Sequence, residues 1–278
     1  SRVMAKLPAD GKYFLCIADT QHRGGTEFAY RLRVGPPQPD FELRVVPSTI
    51  NVRAGANVPV TVYALRHDGF EGEIILGLKD APRGFFLSGA RIPAGQEKVQ
   101  LTLTAPPAAL DQPMDLRFVG QGMLGERPVV HTALPADDMM QAFLYRHLVT
   151  AKEFKVWVGG KGSPSRLMGK TPLHLIAGGE ARIEVAAQVA RSLNNVKVEL
   201  SDAPEGITVK QARTTRNGYE VILACDAAKV KPGLQGNLIL QAFGERPAAK
   251  KGKQPQRSSL GTPPAIPFEV VAPGKRST

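Results

Sequence analysis

Two cysteines, one tryptophan, five tyrosines and five histidines are few for a chain of 278 residues. These are the side chains that most often hold metals, staple small domains or stack on ligands. Two thiols cannot build a disulfide framework, which needs several evenly paired cysteines. Cys16 and Cys225 each fall in an alternating apolar run, Tyr13–Ile17 and Val221–Cys225, and read as small core hydrophobes. His22, His67, His131, His147 and His174 include no His-x-x-x-His pair, so the ligand spacing of a zinc site is missing. A Gly-x-Ser-x-Gly nucleophile elbow is absent as well, and Ser163-Pro164-Ser165 reads as a turn in a Gly-rich loop. Gly159-Gly160-Lys161-Gly162-Ser163 lacks the spacing of a phosphate loop and the helix that should follow it. No apolar run approaches the ~20 residues of a membrane-spanning helix. The expectation is a non-catalytic chain with no cofactor and no metal.

Charge of one sign is also scarce where it would matter. The net charge is +11, but Arg246 to Thr278 holds seven basic residues against one acid, Glu269. More than half of the excess therefore sits in one aromatic-poor stretch, and the rest of the chain is only mildly basic. Nucleic-acid binding wants a basic stripe on a folded face interleaved with aromatics, so no specific nucleic acid is expected. The basic segment 246–264 reads as a disordered insertion able to touch an anionic envelope polymer or lipid surface weakly.

What is abundant is turn chemistry. Gly and Pro make up about 12% of an average chain, and 28 Gly with 23 Pro exceed that by half. Between them lie short period-2 runs such as Val58–Ala64, Lys98–Leu103 and Ala181–Ala186. Turn pairs such as Asp68-Gly69, Ala94-Gly95 and Asn217-Gly218 bound these runs. Many short strands separated in this way predict β-sandwiches. One stretch departs from the pattern. Asp137-Asp138 precede Met139–Leu148, with acids first and basic residues last, which predicts a short helix or turn, an extended strand being the alternative.

An internal repeat organises the rest. Asp80-Ala81-Pro82-Arg83-Gly84 recurs as Asp202-Ala203-Pro204-Glu205-Gly206, and at the same spacing Leu78, Leu101, Leu116 and Gly122 match Leu200, Leu223, Leu238 and Gly244. Asp80, Pro82, Gly84, Asp202, Pro204 and Gly206 read as structural turn residues, since Pro fixes φ and Gly supplies a positive φ. A pair of Ca²⁺ sites would need more oxygen donors than this motif brings. The expected organisation is 38–150 and 151–278 as two related sandwiches, opened by the apolar strands Phe41-Glu42-Leu43 and Phe154-Lys155-Val156. Phe268–Val271 is the candidate closing strand of the second. Residues 1–37 offer two strands, Tyr13–Ala18 and Phe28–Val34, too few for a core of their own.

Leu7-Pro8-Ala9-Asp10-Gly11-Lys12-Tyr13, Asp19, Arg23-Gly24-Gly25 and Tyr30-Arg31-Leu32 resemble the last strands of the bacterial pre-peptidase C-terminal (PPC) domain. That family is a secreted β-sandwich found beside peptidases and other extracellular enzymes, generally non-catalytic and often removed on maturation. Asn51–Gly55, Arg66–Gly72 and Ile92–Gly95 look like the immunoglobulin-like modules that follow PPC domains in large secreted proteins of planctomycete-type bacteria. Gln141–Val149 looks like their continuation. The resemblance covers residues 1–158. It implies an all-β chain, with the end of a PPC-like sandwich followed by tandem Ig-like or fibronectin-like sandwiches. It brings no catalytic residue.

The functional expectation is a structural or adhesive accessory region of a larger secreted or cell-surface bacterial protein. Its partners would be upstream domains of the same polypeptide, an envelope polymer or another protein, and its place extracellular or in the cell envelope. The chain opens on Ser1 and is expected to begin inside a longer polypeptide. The rival is a carbohydrate-binding module, which would stack sugars on exposed Trp or Tyr. A peptidase fragment is third. Trp157, Tyr145 and His147 are the candidate ligand or partner contacts. Trp157 is expected to be buried in an inter-domain strand, His147 to pack at a domain junction, and exposed aromatics to be few.

Overall fold

In the computed structural model the described residues are 3, 5–141, 145–188, 195–246 and 256–273. Among them every regular element is a strand. The first group is β1 (Asp40–Val46), β2 (Thr49–Ala54), β3 (Asn57–His67), β4 (Ile74–Lys79), β5 (Phe86–Ser88), β6 (Arg91–Ile92) and β7 (Lys98–Thr104). It continues with β8 (Met114–Asp115), β9 (Arg117–Leu124), β10 (Arg127–Thr132), β11 (Leu134–Gln141), β12 (Tyr145–Thr150) and β13 (Lys155–Lys161). The second group is β14 (Ser165–Met168), β15 (Leu173–Ile176), β16 (Glu180–Ala187), β17 (Asn195–Ser201) and β18 (Ile207–Thr215). It ends with β19 (Gly218–Cys225), β20 (Gln235–Arg246), β21 (Gln256–Gly261) and β22 (Ile266–Val271).

Alternation builds the first sandwich. Val58, Val60 and Val62 of β3 lie opposite Leu103, Leu101 and Val99 of β7 and point inward. The sheet β12-β11-β1-β3-β7-β5 packs over β10-β9-β4-β6 and the small sheet β2-β13-β8. Phe41, Leu43, Val60, Ile74, Leu101 and Phe118 fill the space between. Each such side chain stabilises the fold by about 1.5–3 kcal/mol through burial. In the second sandwich β14-β16-β19-β18 faces β15-β22-β20-β17, with β21 paired to β20. Its core holds Val185, Tyr219, Leu223, Leu238, Leu240 and Phe268. In both halves a strand near the start runs parallel to the last one, β2 with β13 and β15 with β22. The described residues are all-β, arranged as two β-sandwiches in tandem.

Four expectations change. The first concerns the boundary at 151. Strand β13 pairs with β2 and β8, and Phe154, Val156 and Val158 sit in the first core. Phe154-Lys155-Val156 thus closes the first sandwich instead of opening the second, because its apolar face fits between sheets already built. Second, instead of a helix or turn over 137–148, the extended alternative forms on either side of 142–144, which lie outside the described residues: β11 and β12 pair antiparallel from Ala136↔Thr150 to Gln141↔Tyr145. Pairing of β11 with β1 starts it as a strand, and neighbours override the weak helical cues. Third, part of the basic segment 246–264 is ordered, since Gln256–Gly261 forms β21 against β20; residues 247–255 lie outside the described residues. Fourth, Tyr13–Ala18 and Phe28–Val34 form no strand. Among the described residues no strand lies beside them to pair with. Phe14, Tyr30 and Val34 are exposed, and so is Cys16, contrary to its reading as a core residue. Cys225, by contrast, is buried.

Candidate functional site

The two sandwiches meet along the outer face of β3 and β7. Asn57, Thr102 and Thr104 are polar residues on that face, yet Thr102 is 0% exposed and the other two are buried. The second sandwich covers them; it bonds Thr102 and Asn57, and Asn57 in turn accepts from Thr104. The Ala265 N–H donates to Thr102 Oγ1 at 2.8 Å. Thr104 Oγ1 donates to Asn57 Oδ1 at 2.6 Å, while Asn57 Nδ2 reaches Ser165 Oγ at 3.2 Å and the Thr262 carbonyl at 3.1 Å. Asn237 Nδ2 donates to the carbonyls of Gly89 at 2.7 Å and Gln100 at 2.9 Å. Gln96 Nε2 donates to the Gln235 carbonyl at 2.7 Å. Lys98 pairs with Asp202 at 3.0 Å at the rim. A buried polar group costs free energy unless it is hydrogen-bonded, so this set favours one arrangement of the two sandwiches.

Trp157 stands on β13 with its side chain outward and is 44% exposed. It is neither core nor junction, because Val156 and Val158 take the inward positions of the strand. Its indole lies along its own strand over Gly159, where a Cβ would collide with the six-membered ring. Tyr145 and His147 stand side by side on β12, ring centroids 6.3 Å apart and planes 32° to one another. Tyr145 is 65% exposed and His147 is exposed too, so His147 does not pack at the junction. With Tyr13 and Tyr30 also exposed, the surface holds more aromatic side chains than strand patterning predicts. Trp157 and the Tyr145–His147 pair lie on separate sheets.

The repeated pentapeptides take matching conformations. Asp80 and Asp202 have φ of 52° and 49°, and Gly84 and Gly206 each have φ of 96°. Phe85 N–H donates to the Pro82 carbonyl at 3.4 Å, as Ile207 N–H does to that of Pro204 at 3.1 Å. The aspartate as well as the glycine is left-handed, a conformation Asp tolerates better than most residues. The motif reverses the chain after β4 and after β17.

Charged groups elsewhere are engaged in holding strands. Asp137 accepts from Ser48 N–H and Ser48 Oγ, both at 3.0 Å, and Asp138 pairs with Arg146 at 2.9 Å. These neighbouring carboxylates alternate across the strand and do not share a site. Glu220, 1% exposed, sits between Arg182 and Arg213, the latter at 2.6 Å. Arg66 donates to the carbonyls of Gly72 at 2.7 Å, Gln96 at 2.9 Å and Pro93 at 3.1 Å. Its guanidinium lies over the Phe70 ring, 5.3 Å from the centroid. His131 meets Asp40 at 2.7 Å, and His67 meets Glu42 at 3.3 Å. Burial raises the Tyr219 hydroxyl far above its ordinary value and moves the Cys225 thiol upward as well. Among the described residues no three of His, Cys, Asp or Glu are grouped as metal ligands would be. Among them no helix is long and apolar enough to cross a membrane.

No family model matches the chain, and no curated protein matches it. Solved structures do. The D0–D1 domain of intimin aligns with 82% of this chain and 97% of its own, at 12% identity and a TM-score of 0.25. Domains 1–6 of the surface layer protein SbsC align over 81% of this chain and 24% of theirs, at 13% identity and a TM-score of 0.27. The D00–D0 domain of intimin aligns at 15% identity and a TM-score of 0.24, over 81% of this chain and 98% of its own. The architecture described above rests on the strand pairing of this chain itself.

Proposed function

We propose that the chain is a non-catalytic structural region of a larger secreted or cell-surface protein, in which two sandwiches form one stiff unit that spaces or orients neighbouring modules. The observation that carries this reading is the junction. Polar side chains on the outer face of β3 and β7 are buried and hydrogen-bonded by the second sandwich. A flexible tether would leave Thr102 and Asn57 in water, whereas a spacer gains from a fixed angle.

Residues 1–37, which resemble PPC sequence but form no strand here, would on this reading pack against upstream domains of the same polypeptide. Their exposed Phe14, Tyr30 and Val34 are the surface such a neighbour would cover. The place of action is extracellular or the cell envelope, and the two sandwiches are copies of one ancestral unit.

The test is backbone ¹⁵N relaxation on the whole chain. Strand amides of both sandwiches should report one rotational correlation time and one diffusion tensor. Two independent tensors would overturn the reading.

A further inference from the structure

We propose that the outward face of the β2-β13-β8 sheet, centred on Trp157, binds a pyranose ring of a polysaccharide. This goes beyond a spacer role and does not depend on it.

The argument starts from β13, the middle strand of its sheet. Its backbone is occupied by β2 on one side, and by β8 and the Leu110 N–H donating to the Val158 carbonyl at 2.8 Å on the other. Strand addition is therefore closed here, and a ligand must use the side-chain face. On that face the parallel register sets Asn51 beside Trp157, Arg53 beside Gly159 and Thr49 beside Lys155. Gly159 lets the indole lie along the strand with its outer surface in water. Any other residue there would push the ring away.

The surroundings select the ligand. Within the paired strands the residues that share this face are polar or charged: Thr49, Asn51, Arg53, Lys155 and Asp115. A protein hot spot wants a desolvated apolar surround, which this face does not offer. One flat aromatic ringed by hydrogen-bonding groups fits a ligand with an apolar C–H face and a polar rim, which describes a pyranose. Lys155 is held between Asp115 at 2.8 Å and Glu153 at 3.0 Å, so its charge is balanced. Asn51 and Arg53 are exposed and engage no side-chain partner among the described residues. They are the groups left to meet sugar hydroxyls, and Arg53 would meet a carboxylate on an acidic sugar.

Trp157 is the single tryptophan of the chain and reports on its own site. The experiment titrates the whole chain with a neutral β-glucan oligosaccharide and, separately, with an oligogalacturonate. The readouts are intrinsic fluorescence and calorimetry. Expected are a saturable fluorescence change, protection from acrylamide quenching and a Kd of about 1 mM for either sugar, tighter for the acidic one. Trp157→Ala should weaken calorimetric binding at least about tenfold, with an unchanged circular dichroism spectrum. Gly159→Ala, which keeps the tryptophan but displaces it, should weaken binding about threefold or more. Arg53→Ala should abolish the preference for the acidic sugar. No saturable signal with either sugar up to about 10 mM would overturn the proposal. So would calorimetric binding unaltered in Trp157→Ala. A blue shift that grows with protein concentration in the absence of sugar would assign the face to a second copy and would also overturn it.

Discussion

Arg66 shows how much one side chain can hold. Its fork donates to carbonyls in the 70–72 turn and the 93–96 loop, and its plane rests on Phe70. Lysine offers a point charge with no planar fork, so Arg66→Lys should lower unfolding stability by about 1–3 kcal/mol. Urea denaturation would measure this. Asp40 and Glu42 give a pH dependence with a definite sign. Burial alone would raise Asp40, but the Phe41 N–H and the His131 ring together outweigh it and hold the carboxyl below its ordinary 3.8. The hydrogen bond from Arg44 holds Glu42 below 4.5, against partial burial, and His67 adds to it. For a carboxylate lowered on folding, the stabilisation is present above the unfolded value and is lost as pH falls through the folded one. Stability should therefore drop between about pH 5 and about pH 2, and the acid-limb slope should shrink in Asp40→Asn. Neither reading was available from the sequence. The run 66–72 announces a hairpin through Asp68-Gly69, but not that Arg66 folds back over it.

At the scale of elements, the repeated Asp-Ala-Pro-x-Gly is where local sequence and local structure agree most closely. Gly84 and Gly206 hold the left-handed conformation, and a Cβ would press on Pro106 at 2.8 Å in the first case and on Val230 at 2.7 Å in the second. Gly84→Ala and Gly206→Ala should each cost about 1–3 kcal/mol, read from thermal unfolding. The β11–β12 pair is the opposite case. Acid, apolar and basic residues stand in the order of a short helix, yet Asp137 is spent on Ser48 and the strand joins β1. Strand β13 teaches a similar lesson. Its alternation was legible, but which sandwich it completes depends on β2, some hundred residues earlier, which periodicity cannot see.

For the whole molecule the junction is decisive. Asn237 alone supplies two hydrogen bonds across it, to Gly89 and Gln100. Asn237→Ala should leave each core intact but orphan the Gln100 carbonyl, Gly89 keeping the Arg91 N–H, costing about 1–3 kcal/mol and separating one calorimetric transition into two. A single unchanged transition would mean the halves are coupled by other contacts. The all-β class and the turn positions were legible along the chain, because strand period, Gly and Pro act within a few residues. The sequence also pointed to Trp157, Tyr145 and His147, but set Trp157 inside and His147 at the junction, whereas both are exposed. That β13 closes the first core, that Trp157 faces water, and that Asn57, Thr102 and Thr104 are buried came only with the packing of distant segments. An alternating strand has two faces, and its sequence says which is apolar. Whether the polar face meets water or another sandwich is set by packing between segments distant in the chain.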